Sequence, residues 1–332
     1  MRIERSDPDE PGIRRVGRGR GFSYHRPDGR LIRDARELER IRSLAIPPAW
    51  REVWICPDDC GHIQAIGTDA AGRRQYLYHP DWRAQRDREK FERLVEFGAT
   101  MPAVRRRLAE RLELQGLVRE RVLAGAVRLL DIGLFRVGGE AYAEDNESFG
   151  LTTLEKRHVR VRRGAIEFEY VAKGGALRTQ TVEDELVLPT VVALRRRRAP
   201  AEARLLVYRD GRSAWRELRS DELNEHLKEL VGERFSAKDF RTWNATVLAA
   251  AHLAARAGEE DRDRAVAEAI ERVAEALGNT PAVCRDSYVD PRVIERFEDD
   301  GRTIAPALRR LNGAPGFARR ERIESAVLRL LR

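Results

Sequence analysis

The sequence predicts an α+β protein with a small N-terminal β-rich lobe and a larger, mostly α-helical C-terminal lobe that carries a small β-hairpin. Three observations predict it. Apolar residues alternate in short runs between roughly residues 20 and 80. From Arg86 onward the apolar period lengthens toward that of a helix. Within that helical region, IEFEYVAKGG followed by RTQTVEDELVL returns to strand character around a Gly-Gly turn. A chain of 332 residues, 42% of them hydrophobic, can fill two modest cores, and we place the domains at 1–85 and 86–332.

The elements follow in order. Residues 1 to about 24 are polar and rich in Gly and Arg, which predicts a mobile start. Arg33 to Leu44 reads as a short helix with Leu38, Ile41 and Leu44 on one face, and IPPAW ends it. Val53, Ile55, Ile63 and Tyr76 sit in alternating runs separated by the turn sequences PDDCG and DAAG. FERLVEF and then Pro102 to Leu134 read as helix, and SFGLTTLEKRHVRV turns back toward strand. The Gly-Gly turn puts Lys173 at a hairpin tip. SDELNEHLKELVG aligns Leu223, Leu227 and Leu230. SAKDF opens the next helix with a capping box, Ser236 to Asp239, so Lys238 and Arg241 project near its start. Val266, Ile270, Val273 and Leu277 form a stripe that Gly278 terminates.

Composition narrows the function. A net charge of +8 favours a polyanionic partner. Arginine clusters at Arg14 to Gly21, Arg105 to Arg107 and Arg195 to Arg198 add to that expectation. Three cysteines, Cys56, Cys60 and Cys284, argue against a disulfide scaffold. No N-terminal stretch reads as a signal peptide and no run has membrane-spanning length, so a soluble cytoplasmic protein is expected. HExxH, Walker A and dinucleotide-binding patterns do not occur. CPDDCGH gathers Cys56, Cys60 and His62 without a fourth soft ligand nearby, so a turn is favoured over structural zinc.

The chemistry-bearing residues are dispersed. Tyr288 closes the run LGNTPAVCRDSYVDP. A phenol is a weak nucleophile at neutral pH because its free pKa is about 10, and nearby guanidinium groups favour the phenolate and also bind phosphate. Arg136 in LFRVGGEAY and Arg241 in KDFRTW suit a phosphorane, because the planar fork donates to two oxygens at once. Lys173 on its turn could protonate a leaving 5′ oxygen, and Asn279 could be either a turn former or a phosphate ligand. In the first lobe, Arg73, Arg74 and His79 surround a strand bearing Gln75, Tyr76 and Tyr78. Alternation places the two tyrosines on one face, where sheet packing competes with a nucleic-acid surface.

Taken together, these motifs resemble type IB DNA topoisomerases, especially the small bacterial and poxvirus-like branch. The resemblance runs from about Ile46 to Arg296. It is carried by GHIQAIGTDAAGRRQYLYHPDW, LFRVGGEAY, NESFGLTTLEKRHV, VAKGG, KDFRTW and GNTPAVCRDSYVDP. It implies that Tyr288 is the nucleophile, that Arg136 and Arg241 bind the phosphoryl oxygens, that Lys173 is the general acid and that Lys238 assists cleavage. Asn279 stands where the poxviral branch has histidine; it can donate a hydrogen bond but not a cationic one. Gln75, Tyr76 and Tyr78 match a DNA-touching strand. The resemblance further implies two lobes closing as a clamp on duplex DNA, hinged near Pro80 to Asp87. It implies a monomer of the bacterial nucleoid, with no obligate protein partner. ATP and other cofactors are not expected, and a divalent cation is expected at most to stimulate.

Two other readings compete. Tyrosine recombinases share phosphotyrosine chemistry, but resemble H-x-x-R where this chain has Lys238-Asp-Phe-Arg241, and their DNA-binding lobe is usually helical. A noncatalytic DNA-binding protein would account for the charge, though not for the combined motifs.

Overall fold

The alternating N-terminal runs form a five-stranded antiparallel sheet of order β2–β1–β3–β4–β5. The strands are β1 (Ile13–Arg18), β2 (Gly21–His25), β3 (Arg51–Ile55), β4 (Ile63–Thr68) and β5 (Arg74–Tyr78). The computed structural model describes residues 3–19, 21–140, 147–211, 214–311 and 316–332. Arg20 of the first arginine cluster, and Tyr142 and Asn146 of the LFRVGGEAY and NESFG motifs, lie outside them. Helix α1 (Ala35–Ser43) is capped by Asp34, whose carboxylate accepts from the Glu37 N–H at 2.9 Å. Ile41 joins Ile13, Ile32, Val53, Ile55 and Ala65 in the core of this unit.

The polar N-terminal stretch becomes regular at Ile13. The Arg-rich segment is a paired hairpin, because its charges have local outlets. Ile13 is buried, and Arg15 donates to the Pro47 carbonyl at 3.1 Å and the Trp50 carbonyl at 2.7 Å while its guanidinium covers the Phe22 ring.

The chain divides into two units, Met1–Glu92 and Arg93–Arg332, and the boundary falls within helix α2 (Pro80–Leu112). Pro80 to Asp87, read from the sequence as a hinge segment, forms the first turns of this helix. Pro102 does not break it either. Leu94, Phe97, Met101, Val104 and Leu108 are all buried, and that stripe outweighs a local proline cost of about 3 kcal/mol.

In the second unit, α3 (Arg119–Gly133) is followed by two short 3₁₀ turns at Leu151–Thr153 and Lys156–His158. Strand structure therefore resumes only at β6 (Val159–Arg162), later than SFGLTTLEKRHVRV suggested. β6, β7 (Ala165–Val171) and β8 (Leu177–Val182) make a three-stranded antiparallel sheet. A two-stranded ribbon, β9 (Val207–Arg209) with β10 (Trp215–Glu217), lies between α4 (Leu188–Arg196) and α5 (Ser220–Val231). The rest is helical: α6 (Ala237–Ala255), α7 (Arg262–Leu277), α8 (Pro281–Ser287), α9 (Pro291–Asp300), α10 (Ala305–Leu308) and α11 (Gly316–Leu331). Among the described residues no helix is long and apolar enough to cross a membrane.

A buried ionic network fixes the end of α3. Arg105 of α2 meets both Asp131 oxygens at 2.9 Å and the Glu324 carboxylate at 2.6 and 2.7 Å. Arg128 and Arg320 also contact Asp131, at 2.9 and 2.8 Å, and Asn244 donates to the Asp131 carbonyl at 2.7 Å. Burial pushes the Asp131 carboxyl up, but Arg320, Arg105 and Arg128 overcome it and hold it at about 2. The segment anchored here runs directly into Arg136.

Candidate active site

Four stretches of the second unit converge. The first leaves α3 through Leu134, whose φ of 57° turns the chain sharply. Phe135 then packs edge-on to Phe168 of β7, with ring centroids 4.8 Å apart. The Arg136 carbonyl accepts from the Leu151 N–H at 2.8 Å, so backbone and neighbouring ring both set where its side chain begins. Gly138 and Gly150 lie so close that a side chain at Gly150 would strike Gly138.

The second stretch is the start of α6. The Asp239 carboxylate accepts from the Ser236 N–H at 2.8 Å and from its hydroxyl at 2.9 Å, completing the expected capping interaction. Phe240 and Trp243 are buried, while Arg241 projects into the site and Lys238 stands exposed. Arg241 donates from Nη1 to the Leu134 carbonyl and from Nη2 to the Leu277 carbonyl, the latter at 3.0 Å. Its Nε is buried with no hydrogen-bond partner among the described residues. Burial, and then the nearby Arg136, pushes the Arg241 guanidinium down to about 10, while Tyr288 works the other way. It therefore stays charged at neutral pH, in a place where an anion would relieve a real electrostatic cost.

The third stretch is the end of α7. Gly278 takes φ +62°, closing the helix in the left-handed region. Asn279 follows, and its Oδ1 accepts from Arg136 Nη2 at 2.5 Å. The Asn279 Nδ2 is buried without a partner among the described residues. Two orphan donors, on Arg241 and Asn279, thus lie in one cluster. Buried donors without partners are uncommon in folded proteins and carry a desolvation cost.

The fourth stretch is α8. Thr280 caps it, Pro281 starts it and Tyr288 ends it, with the Tyr288 N–H donating to the Cys284 carbonyl at 3.0 Å. The Tyr288 carbonyl accepts from Thr246 of α6 at 3.3 Å. The Arg241 guanidinium and the Lys238 ammonium stand 5.4 and 5.9 Å from the Tyr288 ring centroid. Cys284 is fully buried, and burial raises its thiol above the ordinary range. That suits packing rather than nucleophilic use.

Arg136 thus pairs with Asn279, Lys238 and Arg241 flank Tyr288, and the Leu134 and Leu277 carbonyls held by Arg241 lie two residues before Arg136 and Asn279. Lys173 stands exposed at the tip of the β7–β8 turn, where Gly174 and Gly175 have φ of 94° and 79°. Its connection to the others runs through its hairpin. The inner face of β8 carries Arg178 and Gln180, which sequence reading did not single out. Gln180 donates to the Gly133 carbonyl and Arg178 to the Ala276 carbonyl. Tyr170, opposite Arg178, donates to Gln180 Oε1 at 2.8 Å. Burial raises the Tyr170 phenol, against the pull of Arg178, Arg241 and Arg136. The available sequence signal was the period-two register placing Arg178 and Gln180 inward.

In the first unit, edge strand β5 exposes Arg74, Tyr76 and Tyr78 on one face. The tyrosine rings stack with centroids 6.2 Å apart, and Arg74 lies 5.8 Å over the Tyr76 ring. Sheet packing therefore does not explain the pair. Arg73 and Gln75 both turn to Asp69, each donating at 2.9 Å. His79 Nδ1 accepts from the Asp81 N–H at 3.1 Å at the start of α2. Cys56, Cys60 and His62 do not gather: His62 Nδ1 accepts from the Ser6 N–H at 3.0 Å, and Cys60 groups with the exposed Asp58 and Asp59.

A phenol flanked by two cations, in a unit that also holds unpartnered buried donors, is chemically able to hold and attack a phosphodiester. Comparison with known proteins agrees. The catalytic-core model of eukaryotic DNA topoisomerase I matches residues 79–313, and the N-terminal domain model of bacterial DNA topoisomerase IB matches residues 21–69. The DNA topoisomerase 1B of Acanthamoeba polyphaga mimivirus is 29% identical over 299 residues, covering 87% of this chain and 88% of the viral protein. This is an enzyme that breaks and rejoins DNA strands. The chain belongs to the type IB DNA topoisomerase family.

Proposed function

We propose that this enzyme relaxes supercoiled duplex DNA without ATP, through a transient 3′-phosphotyrosyl bond at Tyr288. The observation that carries the reading is the placement of Arg241 and Lys238 beside the Tyr288 ring, with the Arg136–Asn279 pair joined to the same cluster. Tyr288 attacks a backbone phosphate, its phenolic proton leaving to solvent as the O–P bond forms and the bond to the 5′ oxygen breaks. Lys173 gives that oxygen a proton, and Lys238 assists the departure. Arg136, Arg241 and Asn279 stabilise the extra charge on the phosphoryl oxygens. The free end rotates, and its 5′-OH then attacks the phosphotyrosine and reseals the strand. The covalent bond conserves the phosphodiester energy, so no nucleotide is consumed. The cationic side chains supply the charge stabilisation that divalent metals provide in other phosphoryl-transfer enzymes, so no divalent cation is required for the reaction.

In this reading the lobes at 1–85 and 86–332 are the halves of a clamp acting as a monomer in the bacterial nucleoid. Arg74, Tyr76 and Tyr78 offer the exposed contacts of the first lobe, with Arg73, Gln75 and His79 around them. The test is plasmid relaxation with EDTA present and ATP absent. Wild type should relax negatively supercoiled DNA and trap as a covalent protein–DNA species, whereas Tyr288→Phe should do neither. Relaxation by the phenylalanine variant would sink the assignment.

A further inference from the structure

We propose that Arg178 is a positioning residue that ties the hairpin carrying Lys173 to the helix end carrying Asn279, a role that rests on the phosphotyrosine reading above. Arg178 lies five residues beyond Lys173, on the inner face of β8 opposite Tyr170. Its Nη2 donates to the Ala276 carbonyl in the last turn of α7. The next carbonyl, that of Leu277, receives Arg241 Nη2 at 3.0 Å. Consecutive carbonyls of one helix end therefore hold two arginines, one from the Lys173 hairpin and one from α6. Such an end carries partial negative charge and exposed acceptors, which suits both.

Gln180, the next inward residue of β8, makes the matching tether to the Gly133 carbonyl, just before the turn that presents Arg136. The two long polar side chains of this face thus reach the two segments that carry Arg136 and Asn279. Gly278 completes the fit, because a side chain there would overlap the Arg178 guanidinium. Retaining this cation has a cost: burial lowers its pKa, Tyr170 opposes that shift, and Arg136 adds to it. An apolar residue would fill the space more cheaply but has no donor to hold the carbonyl. The geometry therefore fixes the hairpin's register against the phosphate-binding groups, so that the Lys173 ammonium meets the leaving oxygen.

The test separates proton delivery from phosphate binding. Single-turnover cleavage would be measured on DNA with the ordinary 5′-bridging oxygen and with sulfur in its place at the scissile phosphate, since a thiolate leaves without a proton. Arg178→Ala is expected to slow the oxygen substrate by about 10²-fold and the sulfur substrate by less than about threefold, within the range of one general acid. Lys173→Ala should show the same split, and Tyr288→Phe should cleave neither. Arg178→Lys, which keeps the stem and charge but loses the fork, guards against a folding failure; it should melt near wild type and show a smaller split of the same sign. Equal slowing of both substrates by the Arg178 variants, or no slowing of either, would overturn the role. Absence of the split in Lys173→Ala would overturn the general-acid reading and this proposal with it, and is recognisable because it appears without touching Arg178.

Discussion

Arg136 Nη2 donates to Asn279 Oδ1 at 2.5 Å, and this contact orients the Asn279 amide so that its Nδ2 is the buried donor left without a partner. The amide is a neutral donor, and the pairing fixes which way it points. Asn279→Ala should slow single-turnover cleavage by about 10²-fold, the loss of one stabilising donor. Asn279→Asp keeps the shape and pairs its carboxylate with Arg136, so it should melt higher than Asn279→Ala. It should nevertheless cleave more slowly than the alanine variant, because a carboxylate repels the phosphoryl oxygens. Cleavage by Asn279→Asp at or above the alanine rate would show that Asn279 does not face the phosphate.

The ionic network beneath the site gives the protein a defined acid sensitivity. The Asp131 carboxyl is held at about 2 against its ordinary 3.8, so its folded pKa is depressed. Stability from this group is present above the ordinary value and is lost as pH falls through the folded one. The contribution amounts to roughly 2 kcal/mol. Urea midpoints taken from pH 5 to pH 2 should fall more steeply for wild type than for Asp131→Asn. The asparagine variant should also start lower, because the buried Arg105 and Arg128 and the partly exposed Arg320 lose their shared partner. Parallel slopes would show that Asp131 does not titrate with unfolding.

Much of this was legible because local rules and tertiary packing agree. The α7 stripe with its Gly278 stop, the Ser236–Asp239 cap and the Gly-Gly turn under Lys173 each follow from short-range pattern. KDFRTW shows the same economy: Phe240 and Trp243 point to the core, where Trp243 lies against Gly98, while Lys238 and Arg241 turn toward the Tyr288 ring. What was not legible depends on distant partners. The β1 strand forms from an arginine-rich segment because carbonyls more than thirty residues away receive Arg15. Helix α2 runs through Pro102 because a buried stripe overrides the local rule. Arg178 and Gln180 gain their roles only through backbone carbonyls on α7 and at the end of α3, which no side-chain pattern announces.

The exposed stack on β5 predicts a binding defect without a folding defect. Tyr76 and Tyr78 are 41% and 47% exposed, too open to hold the sheet together. Tyr76→Ala with Tyr78→Ala should leave the melting temperature within about 1 °C of wild type, since surface changes of this kind cost under about 0.5 kcal/mol. The same pair should weaken duplex binding measurably. Arg74→Ala should lower the salt dependence of binding by about one phosphate contact. Unchanged affinity and salt slope would remove β5 from the DNA surface.

Gly278 carries two separable constraints, and a double-mutant cycle can resolve them. Its φ of +62° disfavours any side chain by about 1 kcal/mol or somewhat more. A side chain would also collide with the Arg178 guanidinium, which would have to abandon the Ala276 carbonyl. Gly278→Ala in the wild-type background should therefore cost more than the backbone term alone. In an Arg178→Ala background the collision is gone and only the backbone term should remain. The difference, read from urea unfolding, is the coupling between the two sites, expected in the range of about 0.5–3 kcal/mol for residues in contact. A cost that is identical in both backgrounds would mean that the helix end accommodates a methyl group without moving Arg178, and the close fit at Gly278 would then have no role in holding the hairpin.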